Sequence, residues 1–396
     1  MTQKFSLPLM EDNITKEDIN SLIGFLSQES IPKLTNGPKV LEFERQWSEW
    51  LGVKHSLMLN SGASANELTM LAIKYMAGQG EIIVPPLTWI SDVASVLFAG
   101  LTPVFCDINL KNLSFNLDDL ESKITPKTKA IFLTHVLGLN AITPRLLEIC
   151  DKHGIVLIED VCESHGSTYQ GKKTGSIGFA SNFSFYFAHH LSTIEGGMIC
   201  TNNDRFYQIC RALRSHGMIR EMTDESLKEA IIEQNPDLNK DFIFLHPSHN
   251  FRSTEINAVL GLSQIKRLDS NNQKRIDNFA YFMSRLDPTH FVTDLEMEGQ
   301  CNYAFIVILK EASMQKRNAL ESILKASGVE FRRGLSGGGN QLKQPYFKEN
   351  WLVDHSKFPV INHVHDYGWY IGNYPSLRRE SIDTLIGILN TAFNQN

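Results

Sequence analysis

Two adjacent histidines, His189 and His190, lie in a short loop between two apolar runs at 182–187 and 198–201. An imidazole takes and gives protons near neutral pH, so the loop can carry acid/base chemistry. By spacing alone the pair reads equally well as packed or solvent-facing histidines. Asp160 ends the most apolar run of the chain, 155–160, and a carboxylate there can partner a cationic nitrogen or cap a helix. The small residues around Ser61, Gly62, Ala63 and Ser64 follow another run at 56–59. They let backbone N–H groups approach an anion at a helix start, or Ser61 simply caps that helix. Trp89 follows the run 81–84 after Pro85-Pro86-Leu87-Thr88. Its place at a strand's carboxyl end suits stacking on a flat heterocycle, and packing equally.

These groups need a scaffold that brings strand ends together. Strands are expected at 56–59, 81–84, 103–106, 129–133, 155–160, 182–187 and 198–201, separated by helices at 91–98, at 145–153 and on from Ser61 to Tyr75. A further helix starts after Gly37-Pro38 and ends at Gly52. Runs that are apolar throughout suit strands covered on both faces, so the reading is α/β with a mainly parallel central sheet. After about residue 250 the pattern changes to a long helix at 253–286, a strand within 303–309 and a closing helix from Ser381. The long helix would be capped by Ser253 with Glu255 in its first turn, and the cluster Gly334 to Gly339 reads as a flexible loop facing substrate. The division expected is a large domain over 1–265, including the amino-terminal segment, and a smaller α+β domain over 266–396.

Taken in order, the segments resemble the DegT/DnrJ/EryC1/StrS sugar aminotransferase family, from about Gly37 to Pro375. The resemblance is carried by Gly62-Ala63, by Glu159-Asp160 with His165-Gly166, and by Ser184-Phe185 with Glu195-Gly196-Gly197 around the histidines. Arg214-Ser215-His216-Gly217 and the block Asn250-Phe251-Arg252-Ser253-Thr254-Glu255-Ile256-Asn257-Ala258 extend it. It implies the pyridoxal-phosphate-dependent fold type I, with pyridoxal 5′-phosphate or pyridoxamine 5′-phosphate as cofactor. Gly62, Ala63 and Ser184 would cup the phosphate, Trp89 would cover the pyridine ring, and Asp160 would face the ring nitrogen. Glu163 replaces the glutamine that borders the ring. Asn250 would reach the neighbouring subunit's cofactor phosphate, which implies a homodimer with shared sites; Asn257 replaces the usual glutamine. His216 and Arg332 are the substrate-binding candidates.

His189 stands where the family pattern has its cofactor-binding lysine. An imidazole keeps the acid/base function and cannot form the Schiff base. Within the family this exchange implies a lyase: a 3-dehydratase of nucleotide-linked 4-keto-6-deoxy sugars that acts through a free aminated cofactor and releases ammonia. GDP-4-keto-6-deoxy-D-mannose is the implied substrate and L-glutamate the amino donor, in the biosynthesis of colitose-type deoxysugars of lipopolysaccharide O-antigens. Iron–sulfur relatives with the same histidine carry clustered cysteines; here Cys200 and Cys210 are followed by none before Cys301. A sugar aminotransferase that tolerates histidine, or a catalytically silent binding partner, stays open as a reading.

The bulk composition agrees with an ordinary globular enzyme of 396 residues, 42% apolar and 21% charged. A net charge of −6 without basic runs argues against nucleic-acid or membrane-surface binding. Scattered cysteines without a metal-site spacing, and no signal-like amino terminus, lead to the expectation of a cytoplasmic protein without a metal.

Overall fold

The computed structural model describes residues 5–393. Its larger sheet is made of β1 (His55–Leu59), β2 (Glu81–Val84), β3 (Thr102–Phe105), β4 (Thr128–Thr134), β5 (Val156–Asp160), β8 (Ala180–Ser184) and β9 (Gly197–Thr201). A small hairpin of β6 (Thr168–Tyr169) and β7 (Lys172–Lys173) precedes β8. The order is β1-β9-β8-β5-β4-β2-β3, and within it only β9 runs antiparallel to its neighbours. All five residues of β8 and of β9 are buried, as the apolar runs require for strands covered on both faces.

The carboxyl ends of β2, β4, β5 and β8 lie along one edge, and the loops after β2, β5 and β8 carry Trp89, Glu163 and His189. The run expected at 182–187 is shorter than predicted. Its ladder with β9 ends at the pair Ser184–Gly197, and Phe185 turns away to exchange backbone hydrogen bonds with Gly196 and Thr193. The turn frees residues 185–196 to form the histidine loop.

The smaller sheet is antiparallel, in the order β10 (Ala304–Ile308), β12 (Gly368–Gly372), β11 (Phe331–Arg333). Residues 5–9 join it: Leu7 bridges Val329 and exchanges hydrogen bonds with Gly328 and Glu330. The helix Glu255–Met283 spans the division expected at 265/266, and its far end packs Phe282 on Phe305 with ring centroids 4.5 Å apart. Its cap is Thr254, whose hydroxyl accepts the Asn257 N–H; Ser253 is buried instead, with its hydroxyl unpaired. Glu255 leaves its own helix to accept the N–H groups of Gly37, Lys39 and Val40 at 2.9–3.1 Å. It thereby caps the helix Pro38–Leu51, whose own N-cap Gly37 has no side chain to do so. Among the described residues, no helix is long and apolar enough to cross a membrane.

Candidate active site

Period-two alternation at the end of β5 sends consecutive carboxylates to opposite faces. Glu159 accepts from the N–H groups of Gly175, Ile177 and Gly178 and pairs with buried His135, so it fastens a turn. Asp160 points the other way and accepts from the Cys162 N–H at 2.8 Å and the Asn66 amide at 3.1 Å.

The helix Gly62–Ala77 starts beside this carboxylate. Ser61 caps it by accepting the Ser64 N–H, and the Ala65 N–H goes to the Ser61 carbonyl. Gly62 and Ala63 therefore hold the orphan donors of the first turn. A Cβ on Gly62 would lie 2.5 Å from the Ser184 Cβ, and one on Gly197 would lie 2.2 Å from the Ser61 carbonyl oxygen. The cradle between these segments exists because both positions are glycine. Two free N–H donors, a serine hydroxyl and helix polarity fit a phosphate group, and Asp160 fits a protonated pyridine nitrogen.

His189 closes the other side. Its Nδ1 lies 3.0 Å from the Ser184 carbonyl, which can only accept, so Nδ1 carries the hydrogen and Nε2 keeps its lone pair. Burial pushes the imidazole down to about 4, against the opposing pull of the Ser184 carbonyl, so the ring is neutral near physiological pH. Around it stand His165 at 6.2 Å, Tyr186 at 5.8 Å and Tyr303 at 5.7 Å between ring centroids. His165 and His190 stack at 5.3 Å, and burial drives both well below the usual imidazole range, helped by the buried Arg275 guanidinium. His190 is tied to the Cys301 carbonyl at 3.0 Å, a backing position rather than a facing one.

The loop that holds His189 is pinned from outside. Asn257 donates to the carbonyls of Thr193 and Glu195 at 2.8 and 3.1 Å, which gives the exchange of glutamine for asparagine a structural role. Asn13 donates to the His189 carbonyl at 2.9 Å, and Arg267 holds the Asn13 carbonyl and the Asp18 carboxylate.

Glu163 is enclosed between the Leu137 N–H at 3.1 Å and the Ser336 hydroxyl at 3.0 Å. Burial pushes its carboxyl up to about 7, only partly offset by those two donors. Ser336 belongs to the glycine cluster, which is docked here and does not hang free as expected. Gln341 binds the Thr88 carbonyl at 3.0 Å, and a Cβ on Gly337 would sit 2.0 Å from that same oxygen. Trp89 stands at the mouth, 57% exposed.

The structure thus brings together Gly62, Ala63, Asp160, Glu163, Ser184 and His189, with Trp89 next in sequence to Thr88, whose hydroxyl contacts the buried Asp92 carboxyl. Arg332 lies on the facing sheet, paired in register with Tyr370, whose hydroxyl is pushed up to about 12 by burial with Glu163 adding to the rise. His216 and Asn250 are elsewhere in the same chain. Both are exposed; His216 lines a cleft of about 800 Å³ with Arg220, Phe242, Phe244 and Arg252 among others, while Asn250 bridges Ser215 and precedes Phe251, whose carbonyl accepts the Asn60 N–H at 3.0 Å. Sequence reasoning missed Asn66, Asp92, Tyr303, Ser336 and Asn13. Tyr303, at the start of an expected strand, and Ser336, inside the glycine cluster read as facing substrate, carried a local signal.

The model of the DegT/DnrJ/EryC1/StrS aminotransferase family matches residues 12–390. The chain belongs to this family. GDP-4-keto-6-deoxy-D-mannose 3-dehydratase of Yersinia pseudotuberculosis is 29% identical over 97% of this chain and 98% of its own. GDP-perosamine synthase of Caulobacter vibrioides is 32% identical over 75% of this chain and 76% of its own. A solved structure of GDP-4-keto-6-deoxymannose-3-dehydratase with a trapped PLP-glutamate geminal diamine superposes with a TM-score of 0.85 at 26% identity, covering 97% of this chain and 100% of that one. The fold of this DegT/DnrJ/EryC1/StrS member is the aminotransferase-like α/β fold expected, and the cofactor in that neighbour is the one expected.

Proposed function

We propose that this family member is a pyridoxamine-phosphate-dependent 3-dehydratase of a nucleotide-linked 4-keto-6-deoxy sugar, with GDP-4-keto-6-deoxy-D-mannose as substrate and L-glutamate as amino donor. The observation that carries the reading is the neutral imidazole of His189 at the lysine position, with Nδ1 occupied by the Ser184 carbonyl and Nε2 free. The bound cofactor supplies a nitrogen carrier and an electron sink. Gly62, Ala63 and Ser184 would hold its phosphate, Asp160 would keep its ring nitrogen protonated, and Trp89 would cover the ring. His189 Nε2 would serve as the proton carrier, taking a proton at the carbon beside the cofactor amine and giving one to the C3 hydroxyl as it departs as water. A well-placed group of this kind contributes about 10²–10⁴ in rate. Glu163, poised near neutrality, borders the ring as a second proton holder.

Arg332 is assigned to the nucleotide-sugar side, from the small domain over 266–396 that faces the large domain over 1–265. Asn250 and His216, both exposed, are assigned to the partner's site in a homodimer. The proposed setting is cytoplasmic deoxysugar biosynthesis of the colitose type. A second reading, transamination, is favoured by the similarity to a perosamine synthase. Incubation with pyridoxal phosphate, L-glutamate and GDP-4-keto-6-deoxy-D-mannose separates the two. Ammonia release with loss of the C3 oxygen is expected; a stable 4-amino sugar would overturn the dehydratase reading.

A further inference from the structure

Behind Asp160 lies a second carboxyl, Asp92, with no exposed surface. Its Oδ2 contacts the hydroxyls of Thr88 and Thr134, the latter at 2.9 Å, and those two hydroxyls lie 2.8 Å from each other. Three oxygens thus form a closed triangle with three hydrogen-bonding edges. Two threonines supply two hydrogens. With Asp92 ionised, both hydroxyls turn to Oδ2 and the Thr88–Thr134 edge carries no hydrogen; a protonated Asp92 supplies the third, so that every edge is bonded. On its other side, Asp92 Oδ1 accepts from the Asn66 amide at 2.6 Å, and that same nitrogen reaches Asp160 Oδ2 at 3.1 Å and Ser91 Oγ at 3.1 Å.

We propose that Asp92 is held as the neutral acid and acts as a positioning residue for the cofactor. Through Asn66 it orients the Asp160 carboxylate against the ring nitrogen, and through Thr88 it anchors the loop that carries Trp89. Two ionised carboxylates bridged by one amide in a closed pocket repel each other strongly, so one of them takes a proton. Asp92, whose oxygen sits in the threonine triangle away from the cup, is the one that keeps it. Burial and the Asp160 charge both push the Asp92 carboxyl upward in agreement. The other ionisable groups facing it, Cys162 and Tyr346, are themselves driven toward their neutral forms. The inference rests on the cofactor assignment, common to the dehydratase and transaminase readings, and not on the choice between them.

The test uses the full-length protein at about pH 8, where ordinary carboxyls are ionised. Infrared spectroscopy of the protein without cofactor is expected to show the C=O stretch of a protonated carboxylic acid. The band should vanish in Asp92→Asn and shift in frequency, without vanishing, in Thr134→Val. Titration with pyridoxamine phosphate, followed by fluorescence, is expected to give an affinity for Asp92→Asn within about threefold of the parent, because the amide mimics the neutral acid. Asp92→Ala should weaken binding about tenfold, the loss of roughly one buried hydrogen bond. Absence of the acid band, a band unmoved by Thr134→Val, or equal losses in the two Asp92 variants would overturn the proposal. If the parent itself binds no pyridoxamine phosphate, the cofactor assignment fails instead, while the infrared result still decides the state of Asp92.

Discussion

The two walls of the cleft are built by opposite means. On the Asp160 side, side chains hold one another: Asn66, Asp92, Thr88 and Thr134 form a closed polar net with every main member buried. On the His189 side, side chains hold backbone: the imidazole is fixed by the Ser184 carbonyl, and its loop by Asn257 and Asn13 through main-chain oxygens. A side-chain net keeps one charge in place and tolerates little movement. A loop pinned by its carbonyls leaves the working nitrogen free while fixing where it stands. The charged wall is suited to holding a cofactor, and the neutral wall to moving a proton.

The largest expected effects separate these two duties. His189→Ala should lower turnover by about 10²–10⁴ while pyridoxamine phosphate still binds within about threefold of the parent. Asp160→Asn should instead release the cofactor, seen as loss of its absorbance on gel filtration. Equal cofactor loss in both variants would erase the distinction between the walls. A smaller effect is expected from Asn257→Ala, which removes two hydrogen bonds to the histidine loop. Turnover should fall about tenfold with cofactor affinity unchanged; an unchanged rate would mean that the loop holds itself.

The smallest effect is on stability against pH. His189 goes from 6.5 as the ordinary value to about 4 when folded, and burial also lowers His165 and His190. The unfolded chain therefore binds protons that the folded chain refuses as pH falls from about 6.5 toward 4, and stability drops across that window. In denaturant titrations, His189→Asn should make this drop shallower by about one proton. An unaltered slope would show that the His189 ring is solvated in the folded protein.

Much of this architecture was legible because apolar runs and glycines act locally. Glu81–Val84 is the strand expected residue for residue, and Gly52 ends its helix in the left-handed conformation that favours glycine (φ 85°). Ser61 caps its helix as the small-residue segment implied. The cap at Ser253 was misplaced by one residue because either hydroxyl satisfies the local pattern. What selected Thr254 was burial of Ser253 in the surrounding structure. The glycine cluster read as free because no local signal tells a loose loop from one docked on the Thr88 carbonyl.

The amino-acid order by itself determined which groups are available for chemistry: an imidazole in the loop after β8, a carboxylate at a strand end, and glycines where a side chain would fill the cradle beside Ser184. Those are properties of single residues and their immediate neighbours. Only the tertiary structure decided which polar side chains share a proton and which hold the loop, because Asn66, Asp92 and Asp160, or Asn13 and His189, are far apart along the chain. Burial, which sets the protonation of Asp92, Glu163 and His189, exists only after the layers have closed around them.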